Sequence, residues 1–235
     1  MSRITNLSII IILILILCGC RYDIMETQVN GDYIDNIVRE GLNEDFDTEY
    51  KSLDQALEDQ IALYNEYNTN DNLLRVCRVL SEMSPRSEYY NLIVKYYGLL
   101  LDTMTQDKIF FTDVNSELHY INQYIENYLF ALYESNMYDK FRYVMSNLEL
   151  YIDDPQEIIK TAATGVSIID SNHGSTEDYI LLKEVLFKCE QMYADRVDTI
   201  FQAIIAKQIA ICAAKTGDIE LAEEYTKKGD SLLES

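Results

Sequence analysis

Tryptophan is missing from this chain, histidine and proline occur twice each, and glycine fills only eight of 235 positions. A β-sandwich or barrel needs a turn every 8–12 residues or so, usually set by Gly, Pro or Asn-Gly. That supply is too thin here, and long helices joined by short loops fit the composition. His119 and His173 lie 54 residues apart, which argues against a histidine-based metal site or a Cys–His catalytic pair. HExxH, GxSxG, a phosphate-binding P-loop and the dinucleotide glycine motif are all lacking. Adjacent carboxylates such as Asp153-Asp154 are expected by chance among 40 acidic residues, and this pair reads as a helix-capping turn. Positive charge is scarce as well: 19 Lys+Arg stand against 40 Asp+Glu, a net charge of −21. Such a surface repels phosphate backbones and anionic headgroups, so nucleic acid and polybasic membrane docking are excluded as partners. The expectation is a chain that is not an enzyme and holds neither a metal nor a dissociable cofactor.

What the sequence does have begins at its amino end. Arg3 is followed by an unbroken apolar run from Ile9 to Leu17, closed by Cys18-Gly19-Cys20. Nine helical residues cover about 14 Å at 1.5 Å each, against a bilayer core of roughly 30 Å. The charged start, short apolar middle and small-residue end read as a secretory signal; an uncleaved signal anchor is the other reading of the same residues. Leu17-Cys18-Gly19-Cys20 resembles the recognition box of bacterial lipoproteins, an aliphatic residue and two small ones before a cysteine. The resemblance implies that residues 1–19 are removed and that Cys20 carries a diacylglycerol and a fatty acid, palmitate for example. It also implies a protein of the bacterial cell envelope, lipid-anchored to a membrane and facing the periplasm or exterior. Two or more acyl chains hold stably where one holds weakly. Removing residues 1–19 takes away only Arg3 among the charges and leaves 18 Lys+Arg against 40 Asp+Glu, or −22. Residues 20–31 lack periodicity and read as a short lipidated tether that keeps the body, residues 32–235, near the bilayer.

Cys77, Cys189 and Cys212 remain, far apart in sequence. They allow at most one internal disulfide, of which Cys189–Cys212 is the candidate, and otherwise read as small core residues. The hydrophobic fraction of 48% is ample for a packed core.

Apolar residues at three-or-four spacing predict a helix from Phe46 to Tyr67, through Tyr50, Leu53, Leu57, Ile61 and Tyr64. Further helices are predicted from Leu73 to Met83, from the Ser84-Pro85 start to about Met104, from about Val114 to Tyr133, and from Tyr138 to Ile152. Asp154-Pro155-Gln156-Glu157 has the form of a capping box opening a helix to about Asp170. Ser171-Asn172-His173-Gly174 is the most loop-like interior stretch, and its acidic residues and glycine are out of register for a calcium loop. Helices follow from Thr176 to Tyr193 and from Ile200 to Ala214, the latter apolar nearly all round and so buried on several sides. Nine or ten helices are expected in all.

Nineteen tyrosines are unusual. Tyr120, Tyr124 and Tyr128 recur once per turn beside the stripe Leu118, Ile121, Ile125, Leu129 and Leu132. This ladder is a candidate partner-binding surface, since each ring offers area and a hydroxyl; helix packing is the plainer use of the same residues.

The segment AKQIAICAAKTGDIELAEEYTKKG, starting at Ala206, resembles one tetratricopeptide hairpin, with Ile209, Ala210 and Ala213 in its first helix, Gly217 at the turn and Ala222 in the second. Ile125 to Asp153 follows the same outline through Leu129, Leu132, Asn136, Phe141 and Leu148, with large residues in place of small ones. Phe141 and Ala222 are 81 residues apart, not a multiple of the 34-residue unit. The resemblance implies an all-α fold, an irregular array of antiparallel helical hairpins, as a TPR-like solenoid or bundle. Such arrays present extended binding surfaces, so the expected function is a membrane-anchored scaffold for a basic envelope or exported protein. The other reading is a helical lipoprotein that holds a small apolar ligand as an accessory to a transporter.

Overall fold

Ser52 shows how the helices begin. Its backbone is extended (φ −161°, ψ 162°) and its hydroxyl accepts the Gln55 amide hydrogen at 3.2 Å, satisfying one of the free N–H groups of a first turn. In the computed structural model, which describes residues 52–83, 86–106 and 117–234, this cap opens α1 (Leu53–Glu66). Then come α2 (Asn70–Met83), α3 (Tyr90–Gln106), α4 (Glu117–Glu134), α5 (Tyr138–Ser146), α6 (Pro155–Ser171), α7 (Thr176–Tyr193), α8 (Thr199–Lys215) and α9 (Ile219–Glu234). Single 3-10 turns precede α3 and follow α5 and α7. The fold is all-α, with no strand among the described residues.

Several boundaries differ from the expectation: α2 starts at Asn70, three residues before Leu73, and α3 starts at Tyr90 and not at Ser84-Pro85, because Arg86 is extended and Ser87–Tyr89 form a 3-10 turn. The extended backbone at Ser52 interrupts the helix expected from Phe46, and Phe46–Lys51 lie outside the described residues, as do the signal, Cys20, the tether and Ser84-Pro85. The helix expected to reach Ile152 stops at Ser146, because the Asn147 side-chain amide donates back to the Tyr143 carbonyl at 2.7 Å and Leu148–Leu150 form a 3-10 turn. At α6, Asp154 accepts the Gln156 amide hydrogen at 2.9 Å, while the Glu157 carboxylate pairs with Lys160. The complete capping box lies instead at α7, where Ser175 and Asp178 exchange hydrogen bonds.

One turn geometry recurs three times. Asn136, His173 and Gly217 have φ of +59°, +54° and +82°. In each case the next residue's N–H reaches back over a turn: Met137 to the Leu132 carbonyl at 2.8 Å, Gly174 to Ile169 at 2.6 Å, Asp218 to Ala213 at 2.9 Å. This is the Schellman arrangement, which closes the free carbonyls at a helix end. A new helix starts within three residues of each, so α4/α5, α6/α7 and α8/α9 are antiparallel hairpins.

The hairpins stack in chain order. The first helices α2, α4, α6 and α8 touch one another in sequence and form one row. Each also meets the second helix of its own hairpin, α7 packs on α5, and α1 packs on α2. First helices begin at Asn70, Glu117, Pro155 and Thr199, spaced 47, 38 and 44 residues apart, so the array is irregular and exceeds the 34-residue unit. The core runs through it without a break, from Leu57, Cys77 and Leu80 past Tyr96, Tyr97, Leu129 and Phe141 to Ile159, Leu186, Ile209 and Cys212.

Candidate functional site: the row of first helices

Two of the three ladder tyrosines are not at the surface. Tyr124 and Tyr128 are each 1% exposed, and Tyr120 lies on α4 with its side chain outside the described residues. Packing explains the correction. Helices α2, α3, α5 and α6 all touch α4, so its buried arc is wide enough to take in the residues beside the aliphatic stripe. Tyr124 packs against Tyr97 with centroids 5.1 Å apart. Tyr128 lies under the Lys140 ammonium, 5.6 Å from its ring centre, and against Gly98 of α3. The two rings are core, and the partner contact expected of them is withdrawn.

The cysteines are core as well: Cys77, Cys189 and Cys212 are free and buried. Burial pushes the thiols of Cys189 and Cys212 up to about 12, which makes them poor nucleophiles at neutral pH. Among the described residues no cluster of histidine, cysteine and carboxylates has the arrangement of a metal site. His173 occupies a turn, and the His119 side chain lies outside the described residues.

What the fold brings together is a strip along the first helices. Thr164 of α6 donates to Glu126 Oε1 of α4 at 3.3 Å. Burial, with Glu157 nearby, raises the Glu126 carboxyl above its ordinary value, against the opposing pull of Thr164 and Lys160. Lys160 pairs with Glu157 one turn earlier on α6 and reaches across to Phe201 of α8, 5.8 Å from the ring centre. At the other end Phe130 of α4 meets Tyr90 of α3 edge-on, with centroids 5.7 Å apart. Three consecutive first helices therefore contribute carboxylates, one ammonium and aromatic area to a single line. Such a line can accept hydrogen bonds from a peptide and pair with its cations. The sequence carries one trace of it, the i, i+3 pair Glu157 and Lys160, whereas the link to Glu126, 31 residues away, has no local pattern.

The strip is held by clamps between successive turns. Asp178, at the start of α7, accepts from Arg142 Nε at 2.8 Å and from the Tyr133 hydroxyl at 3.1 Å, which ties the α4/α5 turn to the α6/α7 turn. Burial pushes the Asp178 carboxyl up, but hydrogen bonds from Ser175, Arg142 and Tyr133 outweigh it and hold it below the ordinary value. Asp170, at the end of α6, joins the α6/α7 turn to the α8/α9 turn in the same way: it bonds Lys215 of α8 and accepts from Tyr179 of α7 at 2.9 Å. Lys215 foremost, then Tyr179, hold its carboxyl low against burial.

No protein-family model, no curated protein and no solved structure matches the chain.

Proposed function

We propose that this chain is a lipid-anchored protein of a bacterial cell envelope whose hairpin array is a scaffold for a basic protein or peptide, without chemistry of its own. The observation that carries the reading is the row of first helices, where Glu126, Glu157, Lys160 and Phe201 are aligned over three hairpins. An array of this kind recognises an extended partner through many modest contacts. The net charge of −21 speeds encounter with cationic surfaces and slows it with anionic ones, an effect screened beyond about 8 Å at physiological salt. Anchoring rests on the lipobox-like Leu17-Cys18-Gly19-Cys20, with Cys20 as the acylated residue.

The test is crosslinking in the native cell, comparing the wild type with Cys20→Ser, followed by binding measurements on the captured protein at low and high salt. The expected outcome is a basic envelope or exported partner whose affinity falls as salt rises. Fatty-acid label is expected in the wild type and not in Cys20→Ser. An acidic partner, or salt-independent affinity, would remove the electrostatic argument, and equal labelling of both forms would remove the anchor. A stoichiometric small molecule in the native mass spectrum of the purified protein would overturn the scaffold reading in favour of a carrier.

A further inference from the structure

Helices α6 and α8 are equivalent elements 44 residues apart. Each is 17 residues long, opened by an aspartate, Asp154 or Asp198, that accepts a first-turn amide hydrogen, and closed on a positive-φ residue, His173 or Gly217. Each packs on the first helix before it, so the row has an α4/α6 seam and an α6/α8 seam. The two seams treat charge differently. At α6/α8 the carboxylate of α6, Asp170, pairs with Lys215 and also accepts from Tyr179. At α4/α6 the carboxylate of α4, Glu126, accepts from the neutral Thr164 hydroxyl at 3.3 Å and forms no ion pair among the described residues. The ammonium of Lys160 is taken by Glu157.

A half-buried carboxylate without a paired cation is held at a cost. Burial raises the Glu126 carboxyl above its ordinary value against the hydrogen bond from Thr164; Glu157 adds to the rise and Lys160 opposes it.

The seam also holds a second unmet group. Glu157, Thr161 and Thr164 follow one another at four and three residues, and so lie along one side of α6, the side that meets α4. Thr161, in the middle of this row, is fully buried, and its hydroxyl has no hydrogen-bond partner among the described residues. On α4 Phe130, one turn beyond Glu126, is half-buried with its ring edge-on to Tyr90. An unpaired carboxylate, an unpartnered hydroxyl and an aromatic ring along one seam suit an ammonium or guanidinium group.

We propose that the α4/α6 seam binds one lysine or arginine side chain of the partner, with Glu126 as its counter-ion, Thr161 as a further acceptor and Phe130 as the wall for its stem. This rests on the scaffold reading and narrows it to the residue that selects the partner's cation.

The probe is a fluorescein-labelled 12-residue peptide of repeating Gly-Ser-Lys, titrated with the full chain and followed by anisotropy, with its acetyl-lysine counterpart as the neutral control. The wild type is expected to bind the lysine peptide and not the acetylated one. Glu126→Gln keeps the shape and the acceptor for Thr164, and is expected to bind at least tenfold more weakly, with a melting temperature equal to or above that of the wild type. Glu223→Gln, the same charge change at an exposed position of α9, is expected to alter affinity less than twofold. Equal losses in the two variants overturn the site and leave the scaffold reading standing on diffuse attraction. No binding by the wild type overturns the site as well, while the scaffold reading stands or falls on the partner crosslinked in the cell. A lower melting temperature of Glu126→Gln with unchanged affinity overturns it too, because the carboxylate then serves the α4/α6 contact alone. Lys160→Gln, at an exposed position, frees Glu157 beside the seam and is expected to tighten binding severalfold more than Lys227→Gln, an identical charge change on α9; equal effects overturn the proposal.

Discussion

Between α3 and α4 the helices meet through rings, and between α8 and α9 they meet through alanine and glycine. Tyr97 stacks on Tyr124, Tyr90 meets Phe130 edge-on, and Tyr128 closes over Gly98. At the other end Ala203, Ala206, Ala210 and Ala213 of α8 and Ala222 and Gly229 of α9 are buried, and Lys207 is pressed so closely on Gly229 that a Cβ there would come within 2.9 Å of its stem. The two interfaces differ in place: α3 and α4 belong to successive hairpins, whereas α8 and α9 are the two helices of one. Ring-filled and small-residue contacts therefore coexist in one array, and the order of contacts along it is kept with either.

The difference predicts opposite responses to truncation. Tyr97 is fully buried, and its hydroxyl donates to the Cys77 carbonyl at 3.2 Å. Tyr97→Ala leaves a ring-sized void and is expected to cost about 3–5 kcal/mol. Tyr97→Phe gives up only the hydrogen bond, roughly 1 kcal/mol. No truncation in the α8/α9 interface has so much volume to lose. Urea denaturation of the two variants would show the gap as a shift in midpoint at constant slope; near-equal midpoints would mean that the aromatic end repacks around the loss.

The clamps give a second, smaller contrast. Of the carboxylates that join turns in the later hairpins, Asp178 is buried and Asp170 exposed, and α1 is linked to the residue before α3 by another exposed bond, from Tyr89 to Asp54. Asp178→Asn keeps the shape but weakens charge-assisted bonds from Arg142 and Ser175, an expected loss of about 2 kcal/mol at pH 7. The Asp178 carboxyl is held below its ordinary value of 3.8. Its stabilising contribution is therefore complete at pH values above the unfolded value and lost as the pH falls through the lower, folded one. The difference between wild type and variant should narrow below about pH 4. A gap that stays constant down to pH 2 would show that the bonds do not depend on the ionised carboxylate.

The two fillings also explain what could be read from the residues. Periodicity located most of the helices, among them the span from about Thr176 to Tyr193 that coincides with α7, because most bury one face. The hairpin resemblance was most specific at Ala206–Gly229, where small residues leave a local mark; Ile125–Asp153 follows the same outline with large residues, and there α4 and α5 meet at the Asn136 turn. The α2/α3 pair, also filled by large residues, left no such outline in the sequence. The 44-residue equivalence of α6 and α8 was invisible for a related reason: the two share caps and turn, but Gly165, facing Met145 and Leu182, becomes Ile209. The tyrosine ladder misled because a stripe beside a stripe can be surface or a wider buried arc, and only the number of neighbouring helices decides. The strip through Glu126, Thr164, Lys160 and Phe201 joins residues on three helices, and no sequence spacing encodes it.

The smallest expected effect lies at the turns, where the same geometry is met by three different residues. Gly217 has φ +82° and nothing within 4 Å of the position its Cβ would take, so a substitution there is opposed by the backbone alone. Gly217→Val is expected to cost about 1–2 kcal/mol, the strain of a left-handed residue with a branched side chain. Asn136 already occupies the equivalent position at φ +59°, and asparagine tolerates that region through local hydrogen bonding. Gly217→Asn should therefore cost less than about 0.5 kcal/mol, some of it offset by the reduced freedom of the unfolded chain. Glycine in the preceding turn serves differently: a Cβ on Gly174 would sit 2.8 Å from Ile169 Cβ and 2.9 Å from the Tyr133 hydroxyl, so that position requires the lack of a side chain, not a positive φ. Thermal melts of Gly217→Val, Gly217→Asn and Gly174→Ala separate the two roles. If asparagine at 217 is as damaging as valine, the last turn is not the equivalent of the one at Asn136, and the repeat seen in the hydrogen bonds would not extend to its energetics.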